Sequence, residues 1–256
     1  ERFAQEMEAV SAKPTGLVFP EFDPTIHVAK KPLAEMLAEH NDWQVFAIID
    51  WGYSKAHITW IVMRQGPADP SPTIGVYREM PVSHMGHEDI CRMIGERINT
   101  DPRMPRAIIV DPEGAGNQVQ KYAENRYART YFGTFGIPVI WERDKAKRGI
   151  VSTLDFVRRL LKTADGRPRL WIAKEVAEQD FSKDGGRGTI ASLKGYRLQE
   201  IGTSGEYRDK PKDDNKTTHA IDNLRMGCIN ATKFGFRWMA GIPENVAGIR
   251  RKWGKQ

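Results

Sequence analysis

Cysteine is scarce in this chain: two residues in 256, Cys91 and Cys228, far apart and each inside a helical pattern. With no CxxC pair there is neither a disulfide framework nor a thiolate zinc site, so two buried free thiols in a reducing compartment are expected. Long apolar runs are missing too. None approaches the ~18 residues of a membrane span, and no signal peptide opens the chain. A Walker A sequence and a GxGxxG fingerprint are likewise absent, as are internal repeats and low-complexity blocks. These gaps exclude a disulfide scaffold, a membrane-spanning protein and a P-loop nucleotidase. The first residue is Glu1 and not Met, which leads us to expect a fragment of a longer protein or a processed product.

What is present is positive charge. Thirty-nine Lys and Arg against 33 Asp and Glu give +6 and a pI of about 9.3, a balance that favours polyanionic partners. Hydrophobic residues make up 40% of the chain, enough for one large α/β domain or one domain with arms.

Residues 1–43 read as an arm: helix-like over Arg2–Val10, then broken by Pro14, Gly16, Pro20, Pro24 and Pro32, with Phe19 and Phe22 between them. Strands follow at Gln44–Asp50, His57–Arg64 and Thr73–Met80, joined by short turns, which suggests an antiparallel meander. A helix over Glu88–Ile98 comes next. From Arg106 the order becomes strand 106–111, helix 117–130, strand 137–141, helix 149–162, a short run Leu170–Ala173 and helix 174–180. That alternation favours parallel strands covered by helices. Gly185-Gly186-Arg187-Gly188 reads as a flexible loop, 189–198 as a strand or hairpin, polar 203–218 as a loop, and 219–232 as the last strong helix. The end of the chain, 233–256, is a basic tail carrying Arg250, Arg251, Lys252 and Lys255.

Two of the strands stop at a carboxylate. Ala47-Ile48-Ile49 ends in Asp50, and Ala107-Ile108-Ile109-Val110 ends in Asp111. Either alone is also what an ordinary turn carries. Together they matter, because open α/β sheets bind ligands at strand C-termini. A third carboxylate, Asp222, lies three residues after His219, so both share one helix face. Asp222 is equally placed to pair with Arg225. Three acids brought together raise one another's pKa unless a cation faces them. Mg²⁺ and Mn²⁺ take oxygen ligands, and two such ions about 3.5–4 Å apart activate water and neutralise a leaving oxygen in phosphodiester cleavage. Glu113, Asp213 and Asp214 are further carboxylates near these positions in sequence. His84-x-x-His87 reads as a helix N-terminal turn, and Gly114-Ala115-Gly116 is only a weak phosphate-cradle signal. Arg143, Lys145, Lys147 and Arg148 follow a strand end and are candidate phosphate contacts. Arg158, Arg159 and Lys162 form a second basic group.

Several segments, in order, resemble the C-terminal nuclease portion of the large terminase subunit of tailed bacteriophages. Gly16-Leu17-Val18-Phe19-Pro20-Glu21-Phe22-Asp23 with His27-Val28 is similar to that family's junction between ATPase and nuclease. Ile48-Ile49-Asp50-Trp51-Gly52-Tyr53-Ser54 resembles its first acidic motif, and Ile109-Val110-Asp111-Pro112 its second. Lys147-Arg148-Gly149-Ile150 is similar to its lysine-glycine-isoleucine helix start, and His219-Ala220-Ile221-Asp222-Asn223-Leu224-Arg225-Met226 to its third motif. The resemblance spans most of 15–232. Met226 stands where an aromatic is usual. Asp213-Asp214-Asn215-Lys216-Thr217-Thr218 separates an acidic pair from a histidine that many relatives precede directly with an acid.

The resemblance implies a ribonuclease H-like α/β fold, three antiparallel strands and then parallel βα units, flanked by helices. It divides the chain into 1–43, an arm from an ATPase domain preceding Glu1, then 44–232, the nuclease, and 233–256, the tail. Asp50, Asp111 and Asp222 would be the ligands of Mg²⁺ or Mn²⁺, two ions with Asp50 shared between them. His219 would be a nearby ligand or proton-handling group. The substrate would be concatemeric double-stranded viral DNA. Portal protein and small terminase subunit would be reached through the full-length protein, in the host cytoplasm during virion assembly and away from any membrane. Two other readings stay open: a junction resolvase or transposase-type nuclease of the same fold, and a non-catalytic module that grips DNA and docks on the portal.

Overall fold

The computed structural model describes residues 16–31, 35, 42–64, 72–101, 103–111, 118–142, 149–179, 188–202, 206–212 and 218–239. Its centre is a six-stranded mixed sheet. In chain order the strands are β1 (Gln44–Asp50), β2 (Ala56–Arg64), β3 (Thr73–Val82), β4 (Ala107–Val110), β5 (Val139–Ile140) and β6 (Leu170–Ile172). Their spatial order is β5-β4-β1-β2-β3-β6. β1–β2 and β2–β3 pair antiparallel, whereas β4 joins β1, β5 joins β4 and β6 joins β3 in parallel. This is the ribonuclease H-like order with a parallel strand added beyond β3. The expected meander and βα units are both present.

β1 and β4 are central, so their apolar runs are buried on both faces. One face is covered by α7 (Thr218–Met239). Its contact residues recur at helical spacing down the β1–β2 ladder: Phe234 packs edge-on to Phe46, Gly227 lies over Ile48 and Ile61, and Asn223 donates to Thr59 Oγ1 at 3.2 Å. α4 (Ile150–Leu161) and α6 (Thr189–Gly195) pack against α7, and the short α5 (Lys174–Ala177) packs against β3. α2 (His87–Thr100) and α3 (Gln118–Gly133) pack on each other. Asn125 of α3 accepts a 2.8 Å bond from Trp51 Nε1. Both cysteines are buried free thiols, as expected, and burial pushes the Cys91 thiol up to about 12. No helix among the described residues is long and apolar enough to cross a membrane.

The described part of the expected arm lies against this domain. A short helix, α1 (Pro24–His27), is capped by Asp23, and Leu17 and Val28 form single bridges to Arg197 and Ile172. Glu21 accepts from Arg158 Nη2 at 2.7 Å. A surface pair of this kind contributes at most about 1 kcal/mol, whereas burying a side chain the size of Phe19 contributes about 1.5–3 kcal/mol. The buried Val18 and Phe19 therefore do most of the anchoring.

Three local expectations are corrected. Residues 189–195 form helix α6 where a strand or hairpin was expected. Their β-branched start, Thr189-Ile190, is offset by Glu79, which accepts the Thr189 N–H at 3.0 and 2.9 Å and its hydroxyl as well, giving one of the free N–H groups of the first turn a partner. Residues 206–211, expected as loop, are β8 (Glu206–Pro211), paired antiparallel with β7 (Leu198–Ile201). This ribbon is polar and mostly exposed, so it has no apolar alternation for a reader of the sequence to find. Residues 233–239, expected as the start of the basic tail, instead continue helix α7 to Met239. The helix-like readings at 2–10, the Gly-rich loop at 185–187 and the rest of the tail, 240–256, lie outside the described residues.

Gly75, in β3, faces Trp171 across the β3–β6 pairing. A Cβ there would lie 2.1 Å from the indole Cζ2. Gly75→Ala is therefore expected to destabilise the domain by about 1–3 kcal/mol, read as a lower urea midpoint with an unchanged slope.

Candidate active site

The register of the sheet brings the first two carboxylates together. Asp50 is the last residue of β1, and the β1–β4 pairing runs to Ile49 opposite Val110, so Asp50 and Asp111 are the next step of two adjacent parallel strands. Asp50 is 7% exposed. Asp111 follows β4 directly, with its backbone carbonyl 3.4 Å from Asn125 Nδ2. α7 delivers the remaining two residues. The face that lays Phe234, Gly227 and Asn223 on β1 and β2 reaches the C-terminal end of β1 at His219, whose Nδ1 is 2.7 Å from Asp50 Oδ2. Asp222, on the same helix, accepts from Arg225 Nε at 2.6 Å, and Arg225 Nη1 reaches Thr153 Oγ1 of α4 at 3.4 Å. The expected pairing of Asp222 with Arg225 is present, and Asp222 also stands within electrostatic reach of Asp50 and Asp111.

The charges confirm that proximity. Burial lifts the Asp222 carboxyl above its usual range; Arg225 opposes this, and Asp50 and Asp111 push the same way as burial. The hydrogen bond to Asp50 holds the His219 imidazole above its ordinary value, with Asp50 and Asp222 adding to it, while burial and Lys55 oppose. His219 is thus the side chain paired with Asp50, and the pairing favours its protonated form.

The donors suit a hard divalent cation in kind: oxygen ligands on neighbouring strand ends and one helix, with the buried Asp222 carboxyl raised above its usual range. The side chains are nevertheless turned to protein partners. Among the described residues, no three His, Cys, Asp or Glu side chains stand close enough to form a ready cage. Asp50 would have to share its carboxylate with His219, and Asp222 with Arg225, for an ion to be held.

Beside this group lies a polar cluster that sequence reasoning missed. His57 of β2 is the ladder partner of Asp50, and Glu79 of β3 that of Thr59. Both are buried. Burial pushes the Glu79 carboxyl up to about 8, against the Thr189 N–H, which lowers it. Burial takes His57 down to about 4. His57 Nε2 and Glu79 Oε1 are 4.0 Å apart. Burial thus favours the neutral form of both side chains over an ion pair. Asn223 Nδ2 donates to the His57 carbonyl at 2.6 Å, so the cluster ties α7 to β2 one turn from His219. A carboxylate inside a β-run, on the face shared with buried Thr59, was the available signal for Glu79.

The other candidates separate from this group or fall elsewhere. His84 has a φ of 54°, and His87 opens α2, which agrees with the reading as a helix N-terminal turn. Glu113, Asp213, Asp214, Arg143, Lys145, Lys147 and Arg148 lie outside the described residues.

No family model and no curated protein matches the sequence. Among solved structures, the chain is similar to the nuclease domain of the large terminase from bacteriophage SPP1, which has bound Mn. That match has a TM-score of 0.49 and 7% identity over 80% of this chain and 96% of that one. It is also similar to RuvC of Thermus thermophilus (TM-score 0.35, 12% identity, 75% and 96% covered). The same protein in complex with Holliday junction substrate gives a TM-score of 0.36 at 13% identity, with 75% and 96% covered.

Proposed function

We propose that this chain is a metal-dependent DNA endonuclease that cleaves concatemeric viral DNA during genome packaging. The observation that carries the reading is the grouping of Asp50, His219 and Asp222 beside Asp111 at the C-terminal ends of two parallel strands. The ordered motifs resembling terminase nucleases support the packaging role.

Asp50, Asp111 and Asp222 would hold Mg²⁺ or Mn²⁺. When bound, such ions lower the pKa of an attacking water and neutralise the leaving alkoxide. The chain's own side chains do the rest. His219 spends Nδ1 on Asp50 and keeps Nε2 for proton exchange with substrate or water. Arg225 fixes the Asp222 carboxylate from one side and is itself held toward α4 through Thr153, so this acid is oriented before a ligand arrives. Phosphate contacts are assigned to Arg143, Lys145, Lys147 and Arg148. Portal protein and small terminase subunit would be partners of the full-length protein.

The test is cleavage of supercoiled plasmid with Mg²⁺, Mn²⁺ or EDTA. Metal-dependent nicking and linearisation are expected, with linear duplex cut at least as well as a four-way junction. Marked preference for the junction would transfer the site to a resolvase. Salt-sensitive binding with no metal-dependent product would leave only a gripping module.

A further inference from the structure

The turn between β1 and β2, 51–55, is closed so tightly that a Cβ at Gly52 would lie 2.1 Å from the Lys55 carbonyl oxygen. Tyr53 and Lys55 lie in this turn, three and five residues beyond Asp50. Tyr53 is 63% exposed. Its ring meets that of His84 edge-on, with centroids 6.0 Å apart. His84 itself is exposed and adopts the left-handed conformation, φ 54°, which costs energy in a residue other than glycine. Beneath the pair is a crevice of about 50 Å³ lined by Trp51, Gly52, Tyr53, Met85, Gly86 and His87, among others. Lys55 stands on the acid side of the turn: its charge reaches His219, and it has no carboxylate partner among the described residues.

From these observations we infer that the β1–β2 turn binds the DNA strand at the acid group. Lys55 takes a phosphate oxygen, and Tyr53, braced by His84, stacks on one unpaired nucleobase next to that phosphate. This rests on the nuclease reading above and deepens it. An exposed aromatic face beside a cation is the combination that takes up single-stranded nucleic acid, because every base offers a π-face and every nucleotide a phosphate. A base inside a duplex has both faces covered, so the turn selects a strand that is mismatched, frayed or open at the cut.

The test is binding of the full chain, in EDTA, to a duplex carrying one unpaired 2-aminopurine and to its fully paired counterpart. The unpaired probe is expected to bind more tightly and its fluorescence to be quenched. Tyr53→Ala should remove that preference, about tenfold in affinity, while Tyr53→Phe keeps it. Lys55→Ala should weaken both duplexes alike and reduce the salt-dependence slope by about one ion. Circular dichroism melts establish that each variant folds. If folded Tyr53→Ala and Lys55→Ala bind both duplexes like the parent while cleavage remains dependent on Asp50, the turn is not a DNA contact and the nuclease reading stands. If the parent cleaves nothing at any metal concentration, the nuclease reading falls, and the binding series still decides whether Tyr53 and Lys55 contact DNA.

Discussion

Asp50→Asn is expected to reduce metal-dependent plasmid cleavage by about a thousandfold or more, with the melting temperature within a few degrees of the parent. Under the proposed function Asp50 would be one of the acids that hold the metal, so its loss would remove an element on which cleavage depends. The fold does not need the charge: Asn is isosteric, and the strand around it is held by ladder bonds and buried apolar side chains. A second readout works without metal. The bond to Asp50 is the largest influence raising His219, and burial and Lys55 act against it. In metal-free Asp50→Asn, the His219 resonance should therefore titrate at lower pH than in the parent. Parental cleavage rates in the variant with Mn²⁺ would remove Asp50 from the chemistry. An unchanged His219 titration would contradict the pairing itself.

Raising the pH from 6.5 to 8 is expected to lower the domain's unfolding free energy by roughly 2 kcal/mol. Glu79 is an acid whose folded pKa, about 8, lies above its unfolded value of 4.5. Its stabilising share is complete below 4.5 and is lost as pH climbs through 8. His57 is a base depressed from 6.5 to about 4. The unfolded chain takes up that proton first, so stability falls as pH drops from 6.5 toward 4. Between about 4.5 and 6.5 the two slopes oppose each other, and above 6.5 Glu79 acts without that opposition. A window of about 1.5 pH units at 1.36 kcal/mol per unit gives the figure stated. His219, also raised, adds to the decline, so Glu79→Gln isolates the glutamate's share. The variant keeps an acceptor for the Thr189 N–H and should flatten the profile. Urea titrations at pH 5, 6.5 and 8 check this; a parent equally stable at 6.5 and 8 would mean that Glu79 is ionised in the fold.

The residues differ in how much of this the sequence disclosed. Asp50 and Asp111 were legible because central parallel strands are apolar on both faces, and the first polar residue after such a run marks the strand's end. Register then makes them neighbours. His219 and Asp222 were legible as one helix face, but not where that face would land. The landing is set by packing that no local pattern encodes, Phe234 on Phe46 and Gly227 on Ile48. β6 gave no sign that it would cross to the far edge beside β3, since a short apolar strand pairs wherever a free edge is offered. The Glu79–Thr189 contact was hidden for a related reason: its partners are 110 residues apart, and a glutamate that fits strand alternation reads as a solvent group.

His219 and Asp50 meet across 169 positions of chain. A pairing so remote in sequence forms late, because the intervening segments must settle before the final helix has a surface to lie on. A polypeptide still emerging from the ribosome, or one clipped before Thr218, carries Asp50 and Asp111 but lacks both Asp222 and the His219 partner of Asp50. Under the proposed function, unfinished copies would therefore be unable to cut, by chain order alone.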